Sequence, residues 1–288
     1  MNTLDKKLEE LNFVFFDLET TGLFPVSSKI IEIGAVKFNF SEGVLATFET
    51  LIDPEVTISK ESIQIHGITD DMVKGKPFIN DILPNFFEFI KDCIVIAHNS
   101  DFDASFISYN INRYNFENPP NLIIDTIPLA KKYIKSCENY KLSNLVKFLK
   151  LDVTEYKSKK FHRALFDSEC GMNIFKAIVE RQAQKEKTPF GQLLLGCKIK
   201  SFAKAFKSET PEEIPESLSM IKEEIGKNSK INIIYKRVDG ELTKRDITPL
   251  AFIKVNGKLY LEAFCYLRKE KRSFRLNKII DCKLVSNE

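Results

Sequence analysis

Residues 13–19 read Phe13-Val14-Phe15-Phe16-Asp17-Leu18-Glu19, an apolar run that ends in two carboxylates. The apolar part predicts a buried strand, and successive side chains of a strand point to opposite faces. Asp17 and Glu19 are therefore expected on one face, about 7 Å apart. Because burying an unpaired carboxylate is costly, this pair at the end of a core strand indicates a functional site.

Asp103 and Asp167 are two further carboxylates beside apolar stretches, and His162 stands five residues before the second of them. Taken alone, Asp17-Leu18-Glu19 could mark a solvated strand end, Asp103 could favour a helix N-terminus, and His162 could be a core or surface histidine. Four converging carboxylates, however, require cations to neutralise them. Hard oxygen donors with no thiolate nearby favour Mg²⁺ or Mn²⁺, and two such ions suit an in-line phosphoryl displacement. An imidazole at His162 could accept the proton of an attacking water.

Three segments resemble the exonuclease motifs of the DEDDh family, which includes the epsilon proofreading subunit of bacterial replicases and RNase T. They are Phe-Asp-Leu-Glu-Thr-Thr-Gly at 16–22, Ala-His-Asn-Ser-Asp-Phe-Asp at 97–103 and His-Arg-Ala-Leu-Phe-Asp at 162–167. The segment 65–69, Ile-His-Gly-Ile-Thr, also resembles one common in the family, and residues 11–181 fit it without a large gap.

This resemblance implies an RNase H-like fold, a two-metal site with Mg²⁺ or Mn²⁺, and a general base. The implied metal ligands are Asp17, Glu19, Asp103 and Asp167, and the implied base is His162. The implied substrate-binding residues are Thr20, Thr21, Gly22, His66, His98 and Asn99.

The hydrophobic pattern of the first part predicts an α/β fold with a five-stranded mixed sheet and helices on both faces. The expected strands are 12–18, 30–39, 45–52, 94–97 and 122–125. The expected helices are 78–91, 101–114, 126–135, 141–149 and 163–184.

A chain of 288 residues exceeds the usual size of one domain. We expect an exonuclease domain at 1–184, a helical linker at 185–229 and a β-rich domain at 230–288. Within the linker, apolar residues and lysines between 193 and 207 predict a basic amphipathic helix, residues 208–215 are typical of an extended connection, and 216–226 predicts a short helix.

The last sixty residues predict short strands at 231–235, 242–247, 250–255, 258–264 and 273–276, with a hairpin turn at Asn256-Gly257. Segments 245–249, 258–264 and 272–279 resemble a WYL domain, although Leu259 stands where that family usually has tryptophan. The resemblance implies a small SH3-like β-barrel that senses a ligand or binds nucleic acid. The candidate contacts are Arg245, Tyr260, Arg268, Arg272 and Arg275. Tyr260 could equally be a core residue, and Arg275 could simply bridge strands.

Charge separates the two parts of the chain. Residues 1–181 carry 21 Lys and Arg against 26 Asp and Glu, whereas residues 182–288 carry 22 against 14, so the net charges are −5 and +8. A basic appendage attracts a polyanion, although scattered lysines also serve solubility. The six cysteines show no metal-ligand spacing, and no signal peptide or membrane-spanning run is visible. We therefore expect a cytoplasmic protein with no membrane partner.

Together these observations predict a metal-dependent 3′–5′ exonuclease that releases nucleoside monophosphates from single-stranded 3′ ends. DNA is the expected substrate. One alternative is an RNA-specific 3′–5′ exonuclease. Another is a regulator whose C-terminal domain binds a nucleotide or nucleic acid while the nuclease domain is vestigial. The sequence leaves open whether a polymerase is a partner.

Overall fold

The computed structural model describes residues 6–153, 161–186, 190–206, 208–209, 214–237, 240–255 and 258–285, with only the backbone at 183–186, 208–209, 255 and 270–271. The chain divides into two compact units, Met1–Ala205 and Phe206–Glu288. The hairpin turn predicted at Asn256-Gly257 and part of the predicted connection, 210–213, lie outside the described residues.

The first unit is built on a mixed sheet of six strands in the order β3-β2-β1-β4-β5-β6. Its strands are β1 (Phe13–Thr20), β2 (Ile30–Asn39), β3 (Gly43–Leu51), β4 (Ile94–Ala97), β5 (Ile123–Asp125) and β6 (Ile199–Lys200). Its helices are α1 (Lys60–His66), α2 (Asp70–Val73), α3 (Ile79–Ile90), α4 (Asp101–Tyr114), α5 (Thr126–Tyr133), α6 (Leu142–Phe148), α7 (Ala164–Glu186), α8 (Phe190–Leu193) and α9 (Phe202–Ala205). Strands β1 and β2 are antiparallel, as are β2 and β3, whereas β4 lies parallel to both β1 and β5.

Strand β1 is central, and its two faces belong to two different hydrophobic cores. Phe13 and Phe15 pack in the core that contains α7, whereas Val14, Phe16 and Leu18 pack in the core that contains α3 and α4. A strand that is covered on both faces reads as a continuous apolar run, which explains the sequence of β1.

The prediction of five strands is wrong by one strand, because β6 adds an edge to the sheet. Ile199 and Lys200 pair antiparallel with Ile124 and Ile123. The basic amphipathic helix predicted between 193 and 207 is also wrong, since the chain forms two single-turn helices separated by β6.

The segment around β6 crosses from one face of the sheet to the other. Phe190 of α8 is fully buried in the core on the α7 side, and Phe202 of α9 is fully buried in the core on the α4 side. The helical linker expected at 185–229 is therefore divided between the two units, and its first part completes the sheet of the first unit.

The second unit is an antiparallel sheet with one helix. Its elements are β7 (Ser208–Glu209), α10 (Ser219–Glu224), β8 (Ile231–Lys236), β9 (Leu242–Val255), β10 (Lys258–Cys265), β11 (Glu270–Arg275) and β12 (Ile279–Leu284). The strand order is β11-β10-β9-β8-β12, and β7 pairs with β9. Leu218 and Ile221, beside and within α10, pack on the apolar face of this sheet.

Two features of this sheet differ from the sequence-based expectation. The strands predicted at 242–247 and 250–255 are one continuous strand, β9, because a register shift at its pairing with β10 accommodates Pro249, which has no N–H for a ladder. Strand β12 was not predicted, since Asp281 and Lys283 interrupt its apolar residues and only Ile279 of the strand is buried. Strands β11 and β12 stand at opposite ends of the order, so the described residues form no closed barrel, and the predicted SH3-like barrel is not confirmed.

Among the helices of the described residues, none combines the length and the apolar character that crossing a bilayer requires.

Candidate active site

Alternation along β1 delivers two carboxylates to the face that is covered by α7. Phe13 and Phe15 point to that face, so Asp17 and Glu19 follow them on the same side. Glu19 is 8% exposed, and Asp17 is half-buried. The strand thus places both side chains beneath the first turns of α7.

Two glycines let α7 lie directly on the sheet. A Cβ at Gly171 would meet the Phe15 ring at 2.1 Å, and a Cβ at Gly34, the β2 neighbour of Asp17, would meet the backbone at the start of α7 at 2.0 Å. Asp167 stands one helical turn before Gly171, on the same face of the helix. The close approach therefore puts Asp167 over the end of β1, beside Asp17.

Asp103, on the first turn of α4, reaches the same strand through a backbone hydrogen bond. The parallel ladder between β1 and β4 ends at the pair Phe15 and Ile96, so the Leu18 N–H lies beyond it. Asp103 Oδ1 accepts that N–H at 3.1 Å, and the side chain is 2% exposed. An otherwise unsatisfied backbone donor thus fixes the third carboxylate beside the first two.

His162 and Asp167 belong to one turn at the start of α7. The His162 backbone N–H donates to Asp167 Oδ2 at 2.9 Å, with His162 at φ +68° and its side chain exposed. The other oxygen, Asp167 Oδ1, is buried and has no hydrogen-bond partner among the described residues. One potential ligand atom each from Glu19, His162 and Asp167 lie within 4.8 Å of one another.

The electrostatics of the cluster favour a bound cation. Burial, followed by repulsion from neighbouring carboxylates, raises the pKa of Glu19 to about 8 and holds the pKa of Asp17 well above its ordinary value. Burial likewise raises the pKa of Asp103 well above the usual range and that of Asp167 to about 7. Burial and mutual repulsion disfavour the charged forms of these acids, and divalent cations with oxygen ligands would balance their negative charge.

The predicted substrate-binding loop after β1 is anchored from several sides. Thr20 Oγ1 donates to the Gly22 carbonyl at 2.6 Å, and Thr21 Oγ1 accepts from the Lys29 N–H at 2.9 Å. Ser62 Oγ of α1 donates to the Thr21 carbonyl at 3.1 Å. These bonds hold the loop and α1 together at one end of β1.

His66 closes α1 and lies close to the carboxylate cluster. It is 6% exposed, and its Nδ1 accepts the Ile68 N–H at 3.0 Å. The proton of the neutral ring is therefore on Nε2, which is buried without a hydrogen-bond partner in the described part of the chain. Burial lowers the pKa of His66, Glu32 opposes this effect, and His162 and Arg163 add to it, so these three groups are its electrostatic neighbours.

His98 and Asn99, also predicted to bind substrate, have different surroundings in the structure. The His98 ring bonds with Thr126 Oγ1 through Nδ1 and with the Tyr140 carbonyl through Nε2, each at 2.8 Å. Both ring nitrogens thus fasten the end of β4. Asn99 is exposed at φ +65°, and its backbone N–H donates to Asp125.

Three residues near the site were not predicted from the sequence. Glu32, in β2, is fully buried opposite Glu19. Leu23 and Ile65 are large apolar residues that are 73% and 59% exposed, next to the anchored loop and to His66. Two features of the sequence could have identified these residues. Glu32 is a charged residue inside an apolar strand, and Leu23 and Ile65 are apolar residues within otherwise polar segments.

The candidate contacts of the second unit are not one patch. Tyr260 and Arg275 are cross-strand partners on β10 and β11. The register puts Arg272 opposite Ala263 and Arg245 opposite Ile233, so both follow the face that carries the core. The remaining candidate, Arg268, is exposed in the turn between β10 and β11.

Comparisons with known proteins agree with this arrangement. A family model described as Exonuclease matches residues 14–175, and a model described as WYL domain matches residues 216–284. The DNA polymerase III PolC-type of Oceanobacillus iheyensis is 36% identical over 185 residues, which are 64% of this chain and 12% of that protein. That of Caldanaerobacter subterraneus subsp. tengcongensis is 38% identical over 172 residues, 60% of this chain and 12% of that protein. The chain thus spans about an eighth of the length of these curated relatives.

The crystal structure of the nuclease domain of 3′hExo, a DEDDh family member, bound to rAMP, shares the fold of the first unit. Its TM-score is 0.52 at 18% identity, covering 68% of this chain and 98% of that one. The resemblances to DEDDh exonucleases and to WYL domains are confirmed. The chain belongs to the exonuclease family, with a DEDDh-type nuclease fold in its first unit and a WYL domain in its second.

Proposed function

We propose that the protein is a metal-dependent 3′–5′ exonuclease that releases nucleoside monophosphates from single-stranded 3′ ends, DNA in preference to RNA. The observation that carries the proposal is the convergence of four carboxylates with an exposed imidazole. The carboxylates come from β1, α4 and α7, and burial raises the pKa of each. Such a cluster is unfavourable without cations and well suited to hold them.

The residues present fit a pair of hard divalent cations. Asp17, Glu19, Asp103 and Asp167 would hold two Mg²⁺ or Mn²⁺ ions. Asp167 Oδ1, buried without a hydrogen-bond donor in the described residues, is one oxygen that such an ion would satisfy. When bound, the ions would act as Lewis acids on the scissile phosphate and neutralise its developing charge.

His162 would accept the proton of the attacking water. Its exposed ring can face solvent and substrate, while its backbone N–H stays bonded to Asp167. A ring nitrogen of His162 lies within 4.8 Å of a carboxylate oxygen of Glu19 and of one of Asp167. The arrangement meets the main requirement of a general base, which is reach to the reacting water.

The loop 20–22 and α1 would hold the terminal nucleotide. Leu23 and Ile65 present exposed apolar surface, which suits the faces of bases. The Nε2–H of His66 would donate to an oxygen of the nucleotide, because a buried donor without a partner is costly to leave unpaired. Asn99, exposed on the loop before α4, would contact the sugar or phosphate.

The preference for DNA rests on the relatives, which are DNA polymerases of the PolC type. The most direct test uses 5′-labelled single-stranded and double-stranded DNA and RNA with Mg²⁺. We expect ladders that shorten from the 3′ end, with single-stranded DNA degraded fastest. Faster degradation of RNA would favour the alternative of an RNA-specific exonuclease.

Two variants make this test specific. Asp103→Asn should abolish the ladder, whereas Asp71→Asn, an exposed carboxylate of α2, should leave it unchanged. Loss of all cleavage by the unmodified chain, or full cleavage by Asp103→Asn, would refute the proposal. Absence of cleavage by the unmodified chain would also favour a regulator with a vestigial nuclease domain.

For the WYL domain we propose weak, sequence-independent contact with nucleic acid through Tyr260 and Arg275. Their cross-strand pairing places a ring beside a guanidinium, and the positive charge of Arg275 opposes the rise in the Tyr260 pKa that burial causes. A phenol can stack on a base, and a guanidinium can pair with phosphate. The excess of positive charge in residues 182–288 acts in the same direction.

A further inference from the structure

Glu32 is a fifth carboxylate at the edge of the cluster, but the protein itself satisfies it. Glu32 Oε1 accepts from Arg163 Nε at 3.0 Å and from Nη2 at 2.6 Å. Glu32 Oε2 accepts from Arg163 Nε at 3.1 Å and from the Ala164 backbone N–H at 2.9 Å. Its charge is thus neutralised by a guanidinium, whereas the other four carboxylates form no ion pair within the part of the chain that the structure describes.

Arg163 stands in the turn that carries His162 and Asp167. Its carbonyl accepts the Asp167 N–H at 2.9 Å, while the neighbouring His162 N–H donates to the Asp167 carboxylate. The same Arg163 Nη2 lies 3.9 Å from Glu49 Oε1 on β3. One side chain therefore connects the turn to two neighbouring strands of the sheet.

Strand β2 holds the start of α7 at further points. Ser168 Oγ donates to the Gly34 carbonyl at 2.9 Å, and the missing side chain of Gly34 allows the helix backbone to lie against the strand. The charge of Asp167 opposes this placement, because Asp167 is repelled by Asp17 and Glu19. Without an attachment to β2, repulsion would favour a wider separation of α7 from β1.

We infer that the Glu32–Arg163 ion pair is a positioning device that holds His162 and Asp167 against β1 in readiness for the ions and the water. Neither side chain of the pair is required to touch the substrate. The kinetic part of this inference rests on the proposed exonuclease activity, whereas its effect on metal binding does not.

The test compares Arg163→Gln and Arg163→Lys in the full chain with Arg113→Gln, an exposed arginine of α4, as the matched control. Mn²⁺ uptake is measured by calorimetry, and kcat and KM are measured on single-stranded DNA. Arg163→Gln should weaken Mn²⁺ binding by roughly 10–100-fold, as is usual when a group that orients a metal ligand is lost. It should lower kcat at least about tenfold, with KM within about threefold, because the 3′-end contacts are untouched.

The lysine variant separates charge from geometry. Lysine keeps the positive charge but not the planar fork, so Arg163→Lys should recover only part of the loss. Glu32→Gln should reproduce the loss seen for Arg163→Gln, and the double variant should lose little more, because the two residues act as one pair. Arg113→Gln should match the unmodified chain within about twofold in both measurements.

Several results would overturn the inference. The inference fails if a folded Arg163→Gln protein has the same Mn²⁺ affinity and kcat as the unmodified chain. If the glutamine variant does not fold, the same result for Arg163→Lys overturns it. A rise in KM with unchanged Mn²⁺ affinity would assign Arg163 to substrate contact instead. If the unmodified chain takes up Mn²⁺ but cuts no nucleic acid, the proposed function fails, and the Mn²⁺ affinities alone still decide whether the pair positions the site.

Discussion

Replacing Gly34 by alanine changes the distance between α7 and the sheet at the level of the carboxylates. The new Cβ would lie 2.0 Å from the Leu165 backbone N, and ordinary contacts begin at 3.4 Å. The start of α7, which carries Asp167, must therefore retreat by roughly 1.4 Å, the difference between these two distances. Since a misplacement of about 1 Å can cost about 10²-fold in rate, we expect turnover to fall at least about 100-fold, or about 2.7 kcal/mol in activation free energy.

The assay is release of nucleotides from a labelled single-stranded 3′ end, at a temperature where circular dichroism shows a folded protein. Overpacking of this kind also destabilises a fold by about 1–3 kcal/mol, so a control for stability is needed. Ile111→Val, in the core on the α4 side, should lose about 0.5–1.5 kcal/mol and keep full turnover. Turnover of Gly34→Ala within tenfold of the unmodified chain would refute the claim that this close approach sets the site.

Three other predictions concern the base, the charge cluster and the second unit. His162→Ala should lower turnover by roughly 10²–10⁴-fold and leave Mn²⁺ uptake nearly unchanged, and a loss of less than about tenfold would contradict its role as base. In EDTA, the melting temperature should fall as pH rises from about 5 to 8. Burial raises the pKa of Glu19 to about 8 and that of Asp167 to about 7, so in this pH range the folded state holds protons that the unfolded state has released. Mg²⁺ should reverse this fall, and a flat or rising profile in EDTA would contradict the charge argument. A chain that ends at Ala205 should bind long single strands more weakly and with a flatter dependence on salt, whereas an unchanged slope would exclude the second unit from substrate binding.

The central strand β1 and the helix α4 of the nuclease unit could be predicted from local sequence patterns, because both elements bury a continuous apolar surface. Strand β1 is apolar on both faces, and helix α4 begins and ends at the predicted residues 101 and 114. Strand β6 could not be predicted in this way. It has two residues, too few to show a period, and it forms only because the edge of β5 is available for pairing.

The same distinction applies to the site. Asp17 and Glu19 follow from alternation along one strand, which is a local property. The role of Glu32 depends on Arg163, which is 131 residues away in the sequence, so no window of sequence contains both partners. Nothing near His98 in the sequence indicates its bonds to Thr126 and to the carbonyl of Tyr140, which are 28 and 42 residues away.

The backbone and the side chain of His162 have separate tasks: the backbone holds Asp167, and the side chain is the proposed proton acceptor. The backbone N–H fastens Asp167, and the backbone sits at a positive φ that asparagine also tolerates. An asparagine at position 162 would therefore preserve the fastening while removing the proton acceptor. Such a protein would bind the 3′ end of a nucleic acid without cutting it. It could be used to isolate the nucleic acids on which the unmodified protein acts.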